Sequence, residues 1–151
     1  MTLHQAIQSF LNSDRYISCF LVVHPDLKIL KDVAIDLRQE YGWPSLSMSK
    51  ELSKELLSVQ TRKRSKHAQR WLKDRLLNMG DEPTICTNID LLFEPSLKLD
   101  PFHLLSQIGH RQKIIVLWPG GFENNTLSYA QPEHARYATW QNPEVDIWCP
   151  E

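Results

Sequence analysis

Two runs in this chain are apolar at nearly every position, YISCFLVV at 16–23 and KIIVLW at 113–118. Neither alternates, so neither suits a half-exposed sheet. Each reads as a strand covered on both faces. Such strands need helices on either side, and the intervening chain supplies them. Leu27, Leu30, Ala34, Leu37 and Tyr41 recur every three or four residues, and Gly42 closes that helix. Residues 3–11 carry Leu3, Ile7, Phe10 and Leu11 at helical spacing, ended by Asn12, Ser13 and Asp14. Ser49 is placed as an N-cap with Glu51 in the first turn, before Leu52, Leu56 and Val59. Ala68, Leu72, Leu76 and Met79 mark a helix over 66–79, and Gly80 ends it. Asp100 followed by Pro101 is a helix start, with Leu104, Leu105 and Ile108 inward and Gly109 as its end.

The remaining segments are shorter. WPSLSM holds a short strand, and PTICTNIDLLF (83–93) begins as a buried one. PGG at 119–121 is expected to break the last core strand. LSYA, RYATW and VDIWC then read as short strands in a β-rich appendage or sheet edge. Strands alternating with helices give an α/β fold with a parallel sheet and right-handed crossovers. At 151 residues, the expectation is one domain over 1–151.

Five glycines remove a class of function by enumeration. They stand at 42, 80, 109, 120 and 121. No pair is five apart, so the phosphate-cradling GxxxxGK[ST] loop cannot be written. No three fall within six residues, which excludes GxGxxG. The loop after the first strand reads HPDLKILK, residues 24–31. Lys28 and Lys31 could meet an anion there, but without glycine the backbone cannot wrap a phosphate closely. The bland reading, a strand-to-helix turn with two solvated lysines, is preferred.

In AAA-type ATPases an apolar strand ends in an Asp-Glu pair that holds magnesium and polarises water. Here that strand reads ICTNIDLL. Thr87 and Asn88 stand where the acids would be, and neither carries the charge that Mg²⁺ or a general base requires. Asp90 is either a remnant acid or a turn cap, with the cap favoured. The six histidines show no metal-ligand spacing, so no metal is expected. Three cysteines, at 19, 86 and 149, form no CxxC pair and point to a reducing, cytoplasmic setting. No apolar run is long enough to span a membrane, and the first residues lack the pattern of a signal peptide.

Charge is uneven. Residues 1–80 carry 13 basic and 8 acidic residues, and residues 81–151 carry 4 and 10. The excess comes from TRKRSKHAQRWLKDR, where Arg62, Lys63, Arg64, Lys66, Arg70, Lys73 and Arg75 precede and ride on a helix. These could contact nucleic-acid phosphates, with Trp71 stacking on a base. They could equally meet an acidic protein surface, including another copy of this chain. Or they form a solvated face with Trp71 packed inward. The net charge of −1 argues against a dedicated nucleic-acid binder. Trp118, Gly120 and Gly121, at the end of the last core strand, are candidate contact residues. So are Trp43, Trp140 and Trp148, which lie in proline-rich stretches; core packing is weighed equally for these.

Residues 84–140 resemble the BrxF family, the small P-loop proteins of type 3 BREX phage-defence systems. The likeness rests on NIDLLFEPSLKLDPFHLLSQIGHRQKIIVLWPGG and then LSYAQPEHARYATW. It implies a P-loop NTPase-like, AAA-like parallel sheet flanked by helices. This chain departs from the family at the missing glycine-rich loop and at Thr87–Asn88. The resemblance therefore implies a non-catalytic accessory component of a phage-defence complex. Its partners would include a DNA methyltransferase, a phosphatase-like protein and a large ATPase, with a homo-oligomer also open. The alternatives are an ATP-binding or ATP-hydrolysing subunit with Lys28, Asp90 and Arg111 as candidates, and a DNA-binding module using residues 62–75.

Overall fold

A computed structural model describes residues 1–130 and 133–150. The parallel sheet is built from β1 (Cys19–His24), β2 (Ser45–Ser47), β3 (Thr84–Thr87), β4 (Ile114–Glu123) and β7 (Asp146–Trp148), in the order β2-β3-β4-β1-β7. The helices are α1 (Leu3–Asn12), α2 (Leu27–Tyr41), α3 (Met48–Leu56), α4 (Arg64–Leu77) and α5 (Pro101–Gly109). Short 3-10 turns cover Thr61–Lys63, Asp90–Phe93 and Pro95–Leu97. β5 (Thr126–Tyr129) pairs antiparallel with the far end of β4, and β6 (Ala138–Gln141) pairs antiparallel with β5. This is an α/β fold with a mostly parallel central sheet between helices.

The two apolar runs lie side by side, Cys19–His24 in register with Ile114–Pro119. Successive side chains point to opposite faces, so each strand feeds two cores. One core takes Cys19, Leu21, Val23, Cys86, Ile114, Val116 and Trp118 and is covered by α3, α4 and α5. The other takes Phe20, Val22, Ile85, Ile115 and Leu117 and is covered by α1 and α2. Crossover handedness accounts for the split. The chain moves toward the β2 edge through α2, then returns through α3–α4 and α5, and right-handed turns in opposite directions fall on opposite faces.

Helix ends follow local chemistry. Thr2 and Gln5 form a reciprocal capping box at α1. Asp100 accepts the His103 amide ahead of Pro101 at α5. Gly42 ends α2 in the left-handed region at φ 68°, its N–H donating to the Arg38 carbonyl.

The structure corrects several boundaries. Ser47, not Ser49, is the N-cap of α3, and its side chain makes no capping bond. Gly109 is the last residue of α5 rather than a left-handed stop. A Cβ there would lie 3.0 Å from Ile17 Cγ2 and 3.1 Å from Cys19 Cβ, so glycine serves the close approach of α5 to β1. PGG does not break β4, because the strand leaves the parallel sheet and continues into the β5 hairpin. Of the two readings of the tail, sheet edge holds for 146–148, where β7 is an edge of the central sheet, paired with β1. Tyr16 lies outside β1, exposed and edge-on to His110. No helix among the described residues is long and apolar enough to cross a membrane.

Candidate functional site

In open α/β sheets ligands gather beyond the carboxyl ends of the strands, at the point where connections diverge. Here β1 leads toward the β2 edge while β4 leads across to β7, so the divergence falls between β1 and β4. A crevice of about 690 Å³ lies there, lined by residues that include His24, Gly121, Ser128, Tyr137 and Cys149. A second cleft, of about 400 Å³, lies beside α2 above the ends of β3 and β4.

The loop that would hold a phosphate is internally satisfied. His24 Nδ1 accepts the Asp26 amide at 2.9 Å, and Asp26 Oδ1 accepts the Lys28 amide at 2.9 Å. A carboxylate thus already caps the positive end of α2, and an incoming phosphate would meet its repulsion. The Lys28 side chain is exposed, and the α2 lysine lining the 400 Å³ cleft is Lys31.

The end of β3 is likewise taken up by structural bonds. Asn88 adopts φ 51°, and its carbonyl accepts both the amide (2.8 Å) and the hydroxyl of Ser49. Its Nδ2 donates to Ser47 Oγ at 2.8 Å. The Ser49 hydroxyl in turn accepts the Leu91 amide at 3.0 Å. Asn88, Ser47 and Ser49 therefore form a clip between β3 and the β2–α3 junction. Asp90 Oδ1 accepts the Tyr129 hydroxyl at 2.8 Å. Burial, then Asp90, pushes the Tyr129 hydroxyl well above its ordinary pKa. Arg111 lies at the opposite end of the sheet, just before β4 begins. From Ile114 to Pro119 the strand rises about 16 Å, so Arg111 shares no site with Asp90 or Lys28.

The hairpin of β5 and β6 docks on this region through aromatic packing. Tyr129 stacks on Phe93, with ring centroids 3.6 Å apart and planes 5° apart. Trp118 and Trp140 meet edge-on at 5.3 Å, and Phe102 lies against both. Trp140 Nε1 donates to Asp100 Oδ1 at 3.0 Å, and Arg136 pairs with Glu94. Trp118, expected at a contact surface, is fully buried, and its Nε1 donates to the Ser128 carbonyl at 2.9 Å. Gly120 makes that bond possible, since a Cβ there would lie 1.9 Å from the same carbonyl oxygen. Gly120 is buried, and Gly121 is half-buried in the crevice wall. Trp43 is also core, stacked on Tyr41, while Trp140 and Trp148 are half-buried. The segments that carry the BrxF resemblance thus meet in one aromatic cluster.

The basic segment divides in two. Lys66, Arg70 and Lys73 fall on one stripe of α4, continued by Arg62 and Lys63 in the preceding turn. That stripe lies opposite Ala68, Leu72 and Leu76, which enter the core. None of these five cations has an ion-pair partner among the described residues. Arg64 donates to the Val59 carbonyl, and Arg75 pairs with Glu51 at 3.3 Å. Trp71 packs half-buried against the core, away from the stripe.

Cys19 and Cys86 are buried, and burial pushes the Cys19 thiol up to about 12 and the Cys86 thiol higher still. Among the described residues no three His, Cys, Asp or Glu side chains gather into a possible metal site. Three comparisons, with family models, curated proteins and solved structures, find no match to this chain.

The Asp90–Tyr129 tie and the Asn88 clip join residues about forty positions apart, and local pattern carries no signal for either. One signal could have exposed the α2 cleft. SLS at 45–47 alternates, placing Ser45 and Ser47 on the side away from buried Leu46.

Proposed function

We propose that this chain is a non-catalytic accessory component of a BREX-type phage-defence complex. It would keep a P-loop-like, AAA-like frame while lacking the nucleotide chemistry. The observation that carries this reading is a set of three structural bonds at the strand ends. Asp26 caps α2, Asn88 clips β3 to α3, and Asp90 holds Tyr129. Each position at which nucleotide, Mg²⁺ or water would be handled has a structural bond instead. Assignment to phage defence rests on the resemblance, whose residues form the hairpin dock. The work left to such a frame is contact with larger partners: the methyltransferase, phosphatase-like protein and large ATPase of such systems.

Two measurements test the reading. MgATP at a hundred times its dissociation constant would raise stability by about 2.7 kcal/mol, and no shift is expected at millimolar nucleotide. Deletion from the native operon should abolish phage resistance, and retained resistance would refute the assignment.

The stripe of Arg62, Lys63, Lys66, Arg70 and Lys73 supports a second reading, contact with DNA or with an acidic partner surface. DNA binding through it would fall steeply between about 50 and 200 mM salt and weaken further in Lys66→Glu or Arg70→Glu. Identical binding by wild-type and charge-reversed proteins would exclude the DNA form.

A further inference from the structure

Three of the four crossovers, the hairpin being the third, fall on one face of the sheet, and among the described residues the other is covered by α1 and α2. α2 packs mainly over β4, β1 and β3. Beyond its flank the sheet turns from apolar to hydroxyl-bearing, with Ser45 and Thr87 lining the gap. The floor remains apolar, made by Leu30, Ala34 and Leu117. Lys31 and Arg38 stand on the α2 side, two turns or about 10 Å apart along the helix. Neither has an ion-pair partner among the described residues. Leu27 and Ile35 line the same cleft and are 60% and 44% exposed, two of six large apolar side chains left in solvent among the described residues.

We propose that this cleft binds a small organic monoanion with a flat apolar body, an aromatic carboxylate in chemical class. Its volume of about 400 Å³ lies within the range of ligand sites. The apolar body rests on Leu30, Ala34 and Leu117 and covers Leu27 and Ile35. The carboxylate meets Lys31 or Arg38, and its polar edge lies against Ser45 and Thr87, whose hydroxyl donates to the Leu46 carbonyl. Charge selects the monoanion. Two cations and the carboxylate of Asp90 leave the cleft at +1, which matches one negative charge and disfavours a triphosphate. The site goes beyond the proposed function and needs no nucleotide chemistry.

The test is an amide-resolved NMR titration of the full chain with 2-naphthoate, its neutral analogue 2-naphthamide, and MgATP. 2-Naphthoate should shift amides within 27–38, at Ser45 and within 87–89, saturating with a Kd on the order of 1 mM. 2-Naphthamide should bind about fivefold more weakly. In the double variant Lys31→Glu with Arg38→Glu the order should reverse, with 2-naphthoate weakened about tenfold and bound more weakly than 2-naphthamide. Both positions are exposed, so an unchanged unfolding midpoint verifies that the variant is folded. Shifts that do not saturate, that map elsewhere, or that keep their wild-type affinity in the double variant overturn the site. Failure of 2-naphthoate alone leaves the non-catalytic reading standing. MgATP displacing 2-naphthoate from the cleft would overturn both.

Discussion

The two faces of the central sheet are solved differently by one set of strands. One face is sealed by three helices and an aromatic hairpin, with Trp118, Tyr129, Phe93 and Trp140 interlocked and their polar atoms bonded. The other carries two helices and a cleft edged with serine, threonine and two cations that have no ion-pair partner among the described residues. The difference follows from topology more than from composition, because crossover direction decides which face each helix reaches. Side-chain choice then agrees with it. The sealed side is mostly apolar, with Thr84 its buried hydroxyl, whereas Ser45 and Thr87 bring hydroxyls to the flank of α2. A sealed face gives stability, and a partly open face leaves room for a partner or ligand.

The contrast can be broken most strongly at Trp118. Trp118→Ala removes a fully buried indole and leaves the Ser128 carbonyl without its donor. It should cost about 3–5 kcal/mol in chemical denaturation, and a loss under 1 kcal/mol would contradict the sealed face. Gly120→Ala forces a methyl against that same carbonyl and should cost about 1–3 kcal/mol while freeing the hairpin. Proteolysis within 121–141 would report that release.

Alkaline pH sharpens the comparison further. Cys19, Cys86 and Tyr129 have raised pKa values and all lie in the sealed face. A raised acid keeps its proton in the folded chain after the unfolded chain has lost it. Stability should therefore be flat below the ordinary thiol value of 9.0 and fall as pH rises above it, by up to about 1.4 kcal/mol per pH unit for each such group. Tyr129→Phe should lower stability at pH 7 by about 1–2 kcal/mol through loss of the Asp90 bond, and should flatten the fall above the ordinary tyrosine value of 10.0. Unfolding midpoints under reducing conditions from pH 7 to 11 would measure both. On the open face, Ser45→Ala should change stability by less than about 0.5 kcal/mol. A larger loss there would mean that the cleft wall holds the fold together much as the sealed side does.

Much of the frame was legible in the sequence because its signals are local. The unbroken apolar runs, Gly42 after a helical stripe, and Asp100 before Pro101 each act within a few residues. The failures share one cause. PGG reads as a break, yet β4 runs on because β5 pairs with it. VDIWC, read as appendage or edge, is left undecided until β1 supplies its partner. Trp118 and Gly120 read as surface until the hairpin folds over them. At the candidate site the missing loop and the absent acids were legible by enumeration. The bonds found at those strand ends, Asp90 to Tyr129 and Asn88 to Ser47, depend on contacts that only the fold creates.

β4 is the one strand shared by both pairing schemes, parallel to β1 and β3 in its first half and antiparallel to β5 in its second. Its two halves cannot open independently without unzipping the same backbone. The hairpin and the central sheet should therefore behave as one cooperative unit, with amides of Phe122 and Leu127 exchanging with solvent nearly as slowly as those of Val116. Force applied to the hairpin by a docked partner would pass along β4 into the middle of the sheet, making that strand the mechanical spine of the molecule.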